Sequence, residues 1–193
     1  MRSMHFILEP PSEAIQAQFK STPWAWKLFN DPTLHAMVNE SRVIKATNNA
    51  DTFVSKTLAT YDTIRAWQSF YKNVNSPEKS EEVWSLLSLG SGVNGHVDTS
   101  HGGFISLVHD ESLGLAAESS RPEDKTTMTA YLKIDYKKPM TTPNVVLCRA
   151  WLEKKEGKKL FVRGLIEDGQ GNVLSISEAM FIIVERAKLR ANI

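Results

Sequence analysis

The segment Gly90-Ser91-Gly92-Val93-Asn94-Gly95-His96-Val97-Asp98-Thr99-Ser100-His101-Gly102-Gly103 runs directly into an apolar stretch. Its glycines let the backbone approach a bound group with no Cβ in the way. The first N–H groups of a helix have no internal acceptor and sit at the positive end of its dipole. A helix opening at Gly103 would therefore carry a site able to polarise a carbonyl or hold an oxyanion, although glycines alone describe an ordinary loop equally well.

Asp110 lies seven residues further on, in surroundings that are otherwise largely apolar. A buried carboxylate is costly unless it is paired or hydrogen-bonded, so its presence there points to use as a general base, the alternative being a solvent-facing Asp110 with Glu111 on an exposed edge. Burial would raise its pKa toward that role, and a nearby hydroxyl or the helix dipole would hold it ionised. Glu111, about 100° round the helix, and His109 compete for the role. Gly102 and Asp110 are eight residues apart, roughly 12 Å along a helix at about 1.5 Å per residue, so one carbonyl cannot touch both. If both act on one substrate, the N–H comes from one subunit and the carboxylate from another, across a two-fold dimer interface.

The elements that must hold these groups follow from periodicity. Gly103 to Glu118 reads as a helix that is apolar round most of its circumference, hence enclosed by other structure. Four runs follow with strand alternation. Met128, Ala130, Leu132, Ile134 and Tyr136 share one face of the first, and Val146, Cys148, Ala150 and Leu152 one face of the second; Leu160–Glu167 and Val173–Val184 follow, separated by turn residues. Consecutive connections predict an antiparallel meander. Upstream, Phe53–Leu58, Ile64–Tyr71 and Val83–Leu89 read as weaker strands, with Asn73 to Glu82 as a loop. Residues 1–50 mix Pro10, Pro11, Pro23 and Pro32 with short helices at Ser12–Phe19 and Trp24–Phe29, whose aromatics Trp24, Trp26 and Phe29 read as packing onto the main domain, with cover for an apolar opening as the alternative. The expectation is an α+β chain: an N-terminal helical extension, 1–50, and a domain, 51–193, in which an antiparallel sheet wraps a central helix.

With 23 basic and 22 acidic residues and a net charge of +1, nothing in the charge balance argues for nucleic acid or an anionic membrane. No apolar run is long enough to span a bilayer, and the first twenty residues lack a signal-peptide core, which predicts a cytoplasmic protein. Cys148, the single cysteine, sits in an apolar strand and reads as packing rather than a nucleophile. Lys137, Lys138 and Arg149 read as a solvated strand edge, with contact to substrate phosphates as the alternative.

At these residues the chain resembles the hotdog-fold acyl-CoA thioesterases of the phenylacetate-pathway type and their eukaryotic thioesterase-superfamily relatives. The matching features are His101-Gly102-Gly103, a carboxylate nine residues after the histidine at Asp110, Gly114 four residues beyond it, and Met128-Thr129-Ala130 opening a strand that ends at Lys138-Pro139. They cover roughly 83–184 and, weakly, 53–72. The resemblance implies the hotdog fold, hydrolysis of an acyl-CoA or acyl-carrier-protein thioester, no metal and no organic cofactor, and a homodimer, with a pair of dimers left open. Carried over by position, Gly102 N–H polarises the thioester carbonyl and His101 shapes that turn. Asp110 activates water or attacks directly, and Thr129 bonds the carboxylate or the water. Gly103, Asn94, Glu111 and His96 fall where substrate would lie. Two other readings stay open: a hotdog hydratase or dehydratase, and an acyl-binding regulatory protein without turnover.

Overall fold

The computed structural model describes residues 6–73 and 81–186. Two short helices, α1 (Glu13–Ala17) and α2 (Pro23–Leu28), precede strand β1 (Leu34–Met37). Strands β2 (Ile64–Asn73) and β3 (Glu81–Leu89) form an antiparallel pair; the connection expected between them lies mostly outside the described residues. A small hairpin, β4 (Asn94–His96) and β5 (Thr99–Ser100), leads into α3 (Gly102–Glu118). The long strands β6 (Lys125–Tyr136), β7 (Asn144–Glu156), β8 (Lys159–Glu167) and β9 (Val173–Glu185) complete the chain. The main sheet is antiparallel, in the order β1-β2-β3-β7-β8-β9-β6.

This sheet curves round α3, as the hotdog arrangement requires. Phe104, Ile105, Val108, Leu113, Ala116 and Ala117 of the helix are buried against Trp67, Leu87, Val146 and Cys148 toward its start, and Ala150, Leu160 and Phe181 toward its end. The other face of β2, β3 and β7 is covered by the N-terminal helices through Phe19, Ala25, Phe70, Leu86 and Leu147. Phe29 meets Phe70 edge-on at 5.5 Å and stacks with Trp26 at 5.4 Å, so these aromatics pack onto the sheet rather than cover an opening. Burial on both faces also explains why β2 and β3 alternate weakly in sequence.

Three expectations change. The meander is confined to β7-β8-β9, because β6 pairs with β9 and not with β7. The β6–β7 connection must therefore cross the open end of the sheet past the start of α3, and on the way Met140 O accepts from Ser100 N while Thr142 N donates to Asp98 O. Phe53–Leu58 is no strand: Phe53–Thr57 forms a π-helical turn. The edge of β2 that it might have joined is taken by β1, and the Arg42 guanidinium donates to the Val54 and Leu58 carbonyls at 2.7 and 3.4 Å. Third, among the described residues the N-terminal region adds a strand to its helices, since Leu34–Met37 pairs with β2 at one edge of the sheet.

Within β6 the alternation is broken by a register shift between Thr129 and Tyr131 that leaves Ala130 as the extra residue of a β-bulge. Parity reverses there, so Met128 does not share the helix-facing side with Leu132. Met128 is 47% exposed, while Leu132 packs into the core beside α3. The residues turned toward the helix before the bulge are Thr127 and Thr129.

Candidate active site

His101 is the N-cap of α3, in extended conformation at φ −64° and ψ 136°. Its Nδ1 accepts from Gly103 N at 2.9 Å, and its carbonyl accepts from Phe104 and Ile105. A Cβ on Gly103 would stand 3.0 Å from that Nδ1, so glycine is what allows the imidazole to fold onto its own helix. The neutral imidazole with its proton on Nε2 suits this cap, because Nδ1 must accept. His101 N itself donates to Val93 O. Among the described residues, Gly102 N–H is the amide of the first turn left with no acceptor.

The Gly102 carbonyl is anchored as its amide is not. It accepts from Tyr136 Oη and Ser106 Oγ, each at 3.0 Å, and those two hydroxyls lie 2.9 Å apart. Neither residue stood out in the sequence. Ser106 is one helical turn past Gly102, and Tyr136 is the polar-tipped aromatic closing the apolar face of β6, which were the available signals. Asn94 and His96 lie on the hairpin strand paired with Ser100 and Thr99, next to His101, and both are exposed. The Asn94 amide oxygen accepts from the Thr142 hydroxyl, tying this hairpin to the crossing segment. A Cβ on Gly95 would be 2.9 Å from His101 Cα, so the hairpin lies hard against the cap.

Asp110 sits two helical turns away, half-buried, and accepts at Oδ1 from Thr129 Oγ1 at 2.9 Å. It opens on a cleft of about 680 Å³ that includes Glu111, Gly114, Thr129, Phe181 and the N-terminal residues Phe6 and Val38. Gly102 and His101 are not part of that cleft. One chain thus holds the amide and the carboxylate at separate places. Glu111 lines the same cleft, and its carboxyl is pushed above the usual carboxylate range by burial, a rise that hydrogen bonding with Ser41 partly offsets and that the nearby charges of Asp110 and Asp51 increase.

His109 is fully buried, with Nε2 2.8 Å from Ser175 Oγ and Nδ1 2.7 Å from Ser177 Oγ. Burial lowers its pKa to about 4, so it is a neutral core residue and not the base. Cys148 is buried beside β3, and burial pushes its thiol up to about 12, which removes the thiolate a nucleophile needs. Lys137 reaches Asp135 at 3.5 Å, Lys138 bonds Asn172 in the β8–β9 turn, and the Arg149 guanidinium lies 5.3 Å from the Trp84 ring centroid on the adjacent strand, so each of these cations engages a neighbouring side chain. Among the described residues no three His, Cys, Asp or Glu side chains gather as metal ligands, and no helix is long and apolar enough to cross a membrane.

Comparison with known proteins adds independent findings. Residues 98–175, which span the helix and its β6–β8 neighbours, match the thioesterase superfamily model. Acyl-coenzyme A thioesterase THEM4 of Rattus norvegicus is 35% identical over 115 residues, 59% of this chain and 47% of that protein. The chain thus spans about half the length of the THEM4 proteins it matches. A Candida albicans protein named only as uncharacterized and mitochondrial is 26% identical over 184 residues, covering 90% of this chain and 77% of its own. A Bacillus halodurans protein crystallised with CoA superposes with a TM-score of 0.50 at 22% identity, over 52% of this chain and 66% of that one, a likeness of fold.

Proposed function

We propose that this chain, whose residues 98–175 match the thioesterase superfamily model, hydrolyses acyl-CoA thioesters at a site completed by a second copy of itself. The observation that carries the reading is the pairing of an unclaimed Gly102 amide at the helix start with a Thr129-bonded Asp110 in a cleft the amide does not reach. Two-fold symmetry brings the missing half of each site from the twin. Strand β6 offers the seam: β9 pairs with one side of its twelve residues, and among the described residues nothing pairs with the other. A long unpaired edge is a ready template for antiparallel pairing with another chain. Tyr131 and Tyr136 on this strand are 44% and 53% exposed, as residues awaiting a partner would be.

In this arrangement the thioester carbonyl accepts from Gly102 N–H, which stabilises the oxyanion as charge develops. Thr129 occupies one oxygen of Asp110 and leaves the other to take a proton from water. The water oxygen bonds to the acyl carbon, the C–S bond breaks, and the sulfur leaves with the proton that Asp110 has collected. The products are a free acid and a thiol. His101 holds the amide in place through its cap on Gly103. Gly103, Asn94 and His96 flank the amide, and Glu111 flanks the carboxylate, where they meet the substrate. CoA is the carrier favoured by the THEM4 relatives; a carrier-protein thioester is the second carrier to assay. Cytoplasmic residence remains our expectation, and fractionation against a mitochondrial marker is its test.

The experiment is thiol release from a panel of acyl-CoA and acyl-carrier-protein substrates by purified protein. Release by the native chain and its loss in Asp110→Asn supports the reading. Hydration of an enoyl-CoA with the thioester intact would make it a hydratase, and tight acyl-CoA binding without release in either protein would make it a binding module.

A further inference from the structure

We infer that the cleft beside Asp110 is the acyl-chain subsite, that the N-terminal segment forms its outer wall, and that Gly114 sets how long an acyl chain it admits. This rests on the hydrolase reading above.

The cleft follows the helix. Asp110, Gly114 and Glu118 are spaced four residues apart and so lie on one helical face, and all three line the same space. Leu115 and Phe181 border it on the domain side, and Phe6, Ile7 and Val38 close it from outside. That outer wall is built rather than draped. Val38 N donates to Ile7 O at 2.9 Å and Glu9 N to Ala36 O at 3.2 Å, extending the sheet edge, while Phe6 packs 5.9 Å from the Tyr71 ring. The far end is plugged by Glu118, which accepts from Thr127 N at 3.1 Å and Thr127 Oγ1 at 2.8 Å and is bound by Arg121.

Charge says which arm of the substrate enters. Glu40, Asp51, Glu111 and Glu118 border the cleft with Arg121 and Arg186, and the cations are engaged: Arg121 is bound by Glu118, Arg186 Nε donates to Lys125 O at 3.0 Å, and nearby Lys45 is held by Glu40 and Asp51 at 2.8 and 3.9 Å. The phosphates of CoA would be repelled from such a wall, whereas an uncharged acyl arm meets Phe6, Val38, Leu115 and Phe181. The thioester therefore straddles Asp110 with the acyl chain running toward Glu118 and the CoA arm directed away. From Asp110 to Glu118 is roughly 12 Å along the helix. At about 1.3 Å of advance per carbon in an extended chain, that admits an acyl group of roughly eight to ten carbons.

Gly114 stands halfway. A Cβ there would meet nothing closer than two Phe181 ring carbons, at 3.7 and 4.0 Å, which is ordinary contact. An added side chain would thus fill the cleft and leave the packing intact. Replacing a helical glycine with alanine also favours the helix, by up to about 1 kcal/mol, so loss of long-chain turnover in Gly114→Ala cannot be laid to unfolding.

The test is kcat/KM for the native protein, Gly114→Ala, Gly114→Val and Phe6→Ala across a series of saturated acyl-CoAs from about two to twelve carbons. One blocked methylene in an apolar pocket is worth roughly 10- to 200-fold. The eight-to-four-carbon ratio is expected to fall at least about tenfold in Gly114→Val, less in Gly114→Ala, and the upper length limit to rise in Phe6→Ala. If the native protein hydrolyses acyl-CoA but the three variants keep its chain-length profile, the subsite assignment is wrong while the hydrolase reading stands. If the native protein releases no thiol from any acyl-CoA, both fall.

Discussion

Thr129 Oγ1 donates to Asp110 Oδ1 at 2.9 Å across the seam between β6 and α3, and it does so because the bulge at Ala130 turns Thr129 toward the helix. The bond fixes one carboxylate oxygen and leaves the other free. Asp110→Asn keeps the shape and removes the basic oxygen pair; it is expected to reduce kcat by at least ~10²-fold, the scale of a lost general base. Thr129→Val loses the positioning hydroxyl and should cost roughly tenfold with thermal stability little changed. Equal rates for native protein and Asp110→Asn would remove the carboxylate from the mechanism.

Gly102 allows its amide to be removed alone. It is the first helical residue, where proline is tolerated, and His101 before it is already extended as proline demands. Gly102→Pro should fold and lose ~10²–10³-fold of kcat, as for an oxyanion donor. Mixed with Asp110→Asn and re-equilibrated, it should regain roughly a quarter of native activity, because half the dimers are hybrids with one intact site each. Light scattering should give twice the chain mass of 21.7 kDa. A monomer, or no recovery on mixing, would refute the shared site.

His109 predicts an acid limb of stability. Its folded pKa of about 4 lies below the ordinary histidine value of 6.5, so between those values the unfolded chain binds a proton that the native chain does not. Stability from this group is whole above pH ~6.5 and is lost as the pH falls toward 4, to a total on the order of 3 kcal/mol. Denaturant unfolding across that range checks the slope. NMR should find the His109 ring unprotonated at pH 5, and titration near 6.5 would contradict its burial between Ser175 and Ser177.

Glu111 acts with the opposite sign. Its folded pKa is raised by burial, so its contribution is present at low pH and is lost as the pH rises through that value. Glu111→Gln should raise the melting temperature at pH 8 and change it little at pH 4.5. The reverse pattern would mean that Glu111 is stabilised as an anion.

Much of this was legible because some features are local. The helix read at 103–118 announced itself by its turn chemistry and apolar circumference, one residue short of its observed start at Gly102, and β7, β8 and β9 by alternation, since each has one face on the core and one outside. Phe53–Thr57 misled because a strand is stable only with a neighbour, and β1 had taken the edge. The side that Thr129 faces was illegible for a related cause: strict alternation says nothing about a single inserted residue that reverses which side faces in.

The sequence by itself determined the helix, the separation of Gly102 from Asp110 along one axis, and hence the need for a twin if both serve one substrate. These are consequences of backbone geometry over a few turns. Only the tertiary structure decided that His101 caps the helix, that β6 lies beside β9, that Tyr136 and Ser106 hold the Gly102 carbonyl, that His109 is sealed in the core, and that Phe6, Ile7, Val38, Glu40 and Ser41 wall the Asp110 cleft. The cap and the Ser106 bond aside, those contacts join residues 30 to more than 100 positions apart. They are set by which surfaces compete successfully for burial, and no local pattern encodes the outcome of that competition.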